Sequence, residues 1–138
     1  MWVDLGLTFF AALFGSTIRY LIEIGVTYFY KGEYSIYLEI ANFLGCMVSG
    51  MLFNFSNCKG YKKMLHSAIG IGFCGSLTTF STYINHTLTI FETGFELISI
   101  AEVISHLIGC YIFFGIGLEM SCTIAWFFNE EESEEIGA

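Results

Sequence analysis

The residues best placed to do chemistry form one stretch, Gly72-Phe73-Cys74-Gly75-Ser76-Leu77-Thr78-Thr79-Phe80-Ser81-Thr82-Tyr83, whose last six positions hold four hydroxyls and two aromatic rings. Neutral O–H donors and ring edges, whose hydrogens are partially positive, can replace an anion's hydration shell without a titrating group. Carbonyls freed by a break in a helix would instead suit a small hard cation. The stretch offers both polarities at one place. Two further residues stand in apolar surroundings. Arg19, in Gly15-Ser16-Thr17-Ile18-Arg19-Tyr20, carries a charge where insertion costs at least ~2.5–3.5 kcal/mol, so it either pairs with Glu23 one turn on or organises a polar cavity. Asn42, in Ile40-Ala41-Asn42-Phe43-Leu44-Gly45, brings two N–H donors and a carbonyl acceptor, and on its own would read as interhelical glue.

These residues must be positioned by membrane helices. Of 138 residues, 55% are hydrophobic and 13% charged, whereas about a quarter of a soluble domain is charged. The formal net charge of -8, with five Lys+Arg, excludes a nucleic-acid footprint, and 18% aromatic content excludes a disordered chain. A spanning helix needs roughly 20 mostly apolar residues, and four candidates fill the chain: Val3 to Tyr28, Ser35 to Phe55, Leu65 to Phe91 and Leu97 to Phe128. The joins, Lys31 to Tyr34, Ser56 to Lys63 and Glu92 to Glu96, leave no room for a soluble domain. The expected fold is therefore all-α, a single four-helix membrane domain over residues 1–128. An acidic, disordered tail is expected over 129–138, where Glu130, Glu131, Glu132, Glu134 and Glu135 cluster.

Non-helical backbone inside a bilayer is tolerated only where protein buries it or where it lines a wet cavity. With no proline in the chain, Gly70, Gly72 and Gly75 are the candidates for breaking the third helix, although small-residue packing alone would also explain them. Cys46, Cys58, Cys74, Cys110 and Cys122 show no C-x-x-C spacing and read as packing residues. His66, His86 and His106 show no metal spacing and read as structural. The sequons at Asn54 and Asn85 lie in or beside apolar runs, where glycan attachment is improbable. The N-terminus lacks the basic region of a cleaved signal. The second loop carries Lys59, Lys62 and Lys63 and the first carries Lys31. That mild bias toward termini inside is also compatible with insertion in both orientations.

The stretch GFCGSLTTFSTY, residues 72 to 83, resembles the third-helix signature of the small Fluc (CrcB) fluoride channels. The first-helix G-x-x-x-R-Y of that family is similar to Gly15 to Tyr20, and its second-helix N-x-x-G-x-x-x-x-G to Asn42, Gly45 and Gly50. The resemblance implies four transmembrane helices with the third broken, in an antiparallel dual-topology homodimer in the cell membrane. It implies two fluoride pathways and a structural, untransported Na⁺ held by backbone carbonyls of Gly75 and Thr78 from both subunits. The implied fluoride pathway comprises the Asn42 amide, the Thr79, Ser81 and Ser105 hydroxyls, and the ring edges of Phe80 and Tyr83, with Arg19 as the first-helix arginine.

The chain departs from the family pattern in three places. Tyr83 stands where the family has a second phenylalanine and would add an O–H donor. His86 stands where many members have a glutamate. The fourth-helix polar track, in its best register of Ala101, Ser105 and Gly109, keeps one hydroxyl. The implied activity is passive fluoride export with no enzyme chemistry, driven by a negative-inside potential at ~2.3 kcal/mol per charge per 100 mV. Rival readings are a small multidrug transporter using Glu23, a non-transporting scaffold, and one subunit of a heterodimeric fluoride channel.

Overall fold

The computed structural model describes the backbone of residues 2–29, 35–53 and 66–136 and the side chains of 3–29, 36–53 and 66–123. The loop lysines, Cys58 and the Asn54 sequon lie outside the described residues. The described chain is helical in six segments: α1 (Trp2–Phe29), α2 (Ser35–Phe53), α3 (Ala68–Cys74), α4 (Gly75–Leu77), α5 (Phe80–Glu92) and α6 (Glu96–Ile136). Among the described residues three stretches are long and apolar enough to cross a membrane, Val3–Phe29, Ile36–Phe53 and Glu96–Thr123. The shortest, of 18 residues, rises about 27 Å, close to the thickness of a hydrocarbon core.

The third apolar run is interrupted, as its glycines and hydroxyls suggest. α3 winds with wide, π-type turns, a geometry that recurs at functional sites. α4 is a single turn, after which Thr78 (φ -80, ψ 149) and Thr79 (φ -150, ψ 107) are extended before α5 begins. The glycines divide their work. A Cβ on Gly72 would meet the Thr8 carbonyl and Ala11 of α1, and one on Gly15 would run into Phe73 and Ser76, whereas Gly75 has open space around its Cα. Gly72 thus serves the small-residue contact between helices, and the break falls three residues beyond Gly75.

α1 runs alongside α3 in the same direction, since Thr8 and Ala11 meet Gly72 while Gly15 meets Phe73 and Ser76. α2 and α6 are likewise parallel. Asn42 reaches His106, Gly50 lies against the backbone of Phe114 and Leu118, and Gly117 lies against the backbone of Met47 and Met51. α5 turns back along α6 through Thr93 and Gly94. The Gly94 N–H donates to the Phe91 carbonyl at 3.0 Å, with Gly94 at φ +91, a left-handed conformation that glycine adopts without steric cost. Tyr37, Leu38 and Tyr83 form a small core closed by Ile22, Val26, Ile84 and Val103.

Helix α6 runs on through the acidic residues to Ile136. Glutamate is a good helix former, and extending a helix that already exists avoids the cost of nucleation.

Candidate functional site

Breaking a helix frees backbone groups, and the Asn42 side chain takes up two of them. The Thr79 N–H donates to Asn42 Oδ1 at 2.7 Å, and Asn42 Nδ2 donates to the Thr79 carbonyl at 3.2 Å. One amide side chain thus pairs edge-on with one extended residue, and it does so 4% exposed. The Thr79 N–H would otherwise serve the Gly75 carbonyl in a continuous helix. The Thr82 N–H, which would serve Thr78, approaches Thr79 Oγ1 at 3.4 Å. The carbonyls of Gly75 and Thr78 are therefore the two whose helical donors have been captured.

Other hydroxyls of the stretch donate within their own segment: Thr78 Oγ1 to the Cys74 carbonyl at 2.9 Å and Ser76 Oγ to the Phe73 carbonyl at 3.1 Å. Thr79 Oγ1 shares a bond of 2.9 Å with Thr82 Oγ1 and caps α5. Gly45 lets α2 approach the break, because a Cβ there would overlap the Thr78 methyl.

The second N–H of Asn42 meets His106 Nε2 at 3.1 Å. His106 is 2% exposed and belongs to a series of near-parallel rings. Its centroid lies 3.9 Å from that of Tyr83 and 5.5 Å from that of Phe43, with Phe43 stacked on Phe113 at 4.9 Å. Tyr83 is fully buried, and its phenol donates to the Glu102 carbonyl at 2.9 Å. The extra O–H expected of Tyr83 is thus spent on joining α5 to α6.

Asn42, Ser49, Thr78, Phe80, His106 and Cys110 line a cleft of about 260 Å³. It unites the second-helix amide, the break and the first aromatic of the signature, whose ring is 57% exposed. Thr79 and Tyr83 lie behind it, the former holding Asn42 and the latter stacked on His106. Ser81 and Ser105 are exposed, and Ser105 donates to the Glu102 carbonyl at 2.9 Å. Ala101, like Ser105, is exposed, while Gly109 is covered by the Phe43 ring. The α6 residues at the cleft are instead His106, Leu107 and Cys110, one position on from the anticipated track.

Arg19 is half-buried on α1, and no ion pair joins it to Glu23 among the described residues. Glu23 instead lines a shallow groove with Tyr20, Thr27 and Tyr28. The sequence reading took His106 as structural without finding its partner, Asn42. Around this pair α2 and α6 approach closely at Gly50, Gly109 and Gly117. Among the described residues no group of three or more His, Cys, Asp or Glu side chains could hold a metal.

Over residues 6–118 the chain matches the family described as CrcB-like protein, Camphor Resistance (CrcB). It is 28% identical over 106 residues to a fluoride-specific ion channel FluC from Shewanella sp. (strain W3-18-1), covering 77% of this chain and 86% of the relative. A FluC of the same description from Shewanella baltica (strain OS185) is 29% identical over the same shares. The match takes in the first helix, Asn42, the break and His106, and on that extent the chain belongs to the CrcB-like family.

Proposed function

We propose that this chain is a fluoride-specific channel of the cell membrane, exporting fluoride passively through four transmembrane helices arranged in an antiparallel, dual-topology homodimer. The observation that carries the reading is the Asn42 amide pinned to an extended break beside the exposed ring of Phe80. Unpaired backbone groups in lipid are costly, so a break held open by a dedicated side chain implies a polar path at that depth. The path would draw on the Asn42 amide and the Phe80 ring edge, with Thr79 and Tyr83 supporting them from behind. Ser81 and Ser105 lie on exposed faces that a second copy would complete. Arg19 would supply positive field along the first helix.

The charge of fluoride needs donors, and the site supplies neutral ones, so the anion can leave as readily as it enters. The membrane potential does the work, and no bond is made or broken. The carbonyls of Gly75 and Thr78 fit a small hard cation, since their helical donors are engaged elsewhere. In this reading a Na⁺ shared between two protomers neutralises those carbonyls and fixes the subunits about the break, without being transported.

Growth tests this function in a cell. Expression of the chain in a bacterium lacking its own fluoride exporter should restore growth in millimolar fluoride, and a Phe80→Ala variant should not. Unchanged fluoride sensitivity with the protein present in the membrane would refute the reading for the single chain and turn attention to a heterodimer with a related subunit.

A further inference from the structure

The hydrogen bonds around Asn42 fix the protonation state of its neighbour. The Thr79 N–H can only donate, so the Asn42 atom 2.7 Å from it is the carbonyl oxygen. The other atom is then the nitrogen, which donates to the Thr79 carbonyl with one hydrogen and faces His106 Nε2 at 3.1 Å with the other. His106 Nε2 must accept. The ring is consequently neutral, with its proton on Nδ1, and that Nδ1 is buried with no hydrogen-bond partner among the described residues. Tautomers follow the partners that the two ring nitrogens find, and here one partner is a side chain whose orientation the backbone dictates.

We propose that His106 is the positioning residue of the conduction path: as the neutral Nδ1–H tautomer it locks the Asn42 amide onto the break. The proposal rests on the fluoride-channel reading for its consequence and on geometry alone for the lock. The lock is made from both sides. Tyr83 and Phe43 hold the ring in plane, and the Tyr83 phenol ties the same stack to α6 through the Glu102 carbonyl.

A proton added to His106 would sit on Nε2 and point at the Asn42 N–H, so the two donors would oppose each other and the amide would leave the break. Conduction should therefore fall as the pH falls. The titratable groups around the ring are Tyr83 on α5, Cys46 and Glu39 on α2, and Glu102 and Cys110 on its own helix. The Cys110 thiol is 3.6 Å from His106 Nε2. Glu39 and Glu102 lie about one turn before Asn42 and His106 along their helices, and Glu102 Oε2, like His106 Nδ1, is buried with no hydrogen-bond partner among the described residues.

Nitrogen NMR of ¹⁵N-histidine-labelled protein in liposomes reads the tautomer directly, with H106Q identifying the signal among those of His66 and His86. The expected result is a protonated Nδ1 and a bare Nε2 at neutral pH. Fluoride efflux is then followed from about pH 7.5 to about pH 4.5, spanning the ordinary imidazole range, with protein-free vesicles correcting for leakage of the neutral acid. Wild type should lose about tenfold in rate across that range, the weight of one strong intramembrane hydrogen bond. H106Q keeps an acceptor at the Nε2 position and does not titrate, so it should conduct within about threefold of wild type without the acid loss. H106L should be about tenfold slower at every pH.

A proton on Nε2 at neutral pH, or an unchanged acid response in H106Q, would overturn the lock. If H106L does not fold, the tautomer and the H106Q profile still decide. A wild type silent at every pH would instead overturn the channel reading, and the NMR result would still judge the lock.

Discussion

Replacing Asn42 with alanine should close the break and with it the path. The substitution removes three hydrogen bonds, at 2.7, 3.2 and 3.1 Å, and leaves the Thr79 N–H and the Thr79 carbonyl unpaired and His106 Nε2 with only the Cys110 thiol, at 3.6 Å. Intramembrane hydrogen bonds average about 0.6 kcal/mol and reach about 1.7, so the loss is about 2 kcal/mol at the average and about 5 at the most. The Thr79 N–H then returns to its helical acceptor, the Gly75 carbonyl, and a continuous helix takes the place of the extended pair. At the average value the open break becomes roughly 20-fold less populated. Initial fluoride efflux from liposomes, normalised to folded protein by size-exclusion chromatography, should fall by at least that factor. Hydrogen exchange at the Thr79 amide should change with it. An Asn42→Ala protein that conducts within threefold of wild type, with equal yield and unchanged exchange at Thr79, would refute the claim that this amide holds the break.

Gly50→Ala and Gly117→Ala each place a methyl against the facing backbone, of Phe114 and Met47 respectively. Helices held this closely have to move apart, so each should cost about 1–3 kcal/mol, read as a lower unfolding midpoint in detergent, whereas Gly6→Ala, with open space in the protomer, should be near neutral. Tyr83→Phe removes the 2.9 Å bond to the Glu102 carbonyl but keeps the ring on His106. It should lose about 0.5–1.5 kcal/mol of stability and keep fluoride efflux within a few fold, whereas a large loss of flux would assign the phenol O–H a direct role. Thr79→Val removes the Oγ1 cap of α5 and should cost about 1 kcal/mol, measurable by thermal unfolding.

Three of the four apolar runs can be read as long helices because lipid-facing residues need no periodicity that a loop could imitate. An interruption of the third run was expected at its glycines, Gly70, Gly72 and Gly75, whereas the extended residues are Thr78 and Thr79. Asn42 could be picked out as an amide out of place, but its partner could not. Thr79 lies 37 residues away and His106 64 residues away, and such pairings are set by helix register and crossing, which a linear pattern does not carry. For the same reason the linear pattern did not show that His106, Leu107 and Cys110 are the α6 residues facing Asn42 across the cleft.

The central claim is that this chain by itself conducts fluoride. Liposomes containing only this protein, loaded with fluoride in Na⁺ buffer and given a potassium-selective carrier to balance charge, should release fluoride to an electrode within seconds to minutes and retain chloride under the same gradient. Equal release of both anions would contradict a selective path through the Asn42–Phe80 cleft, and silence from a folded, monodisperse protein would contradict the claim that the single chain is the channel.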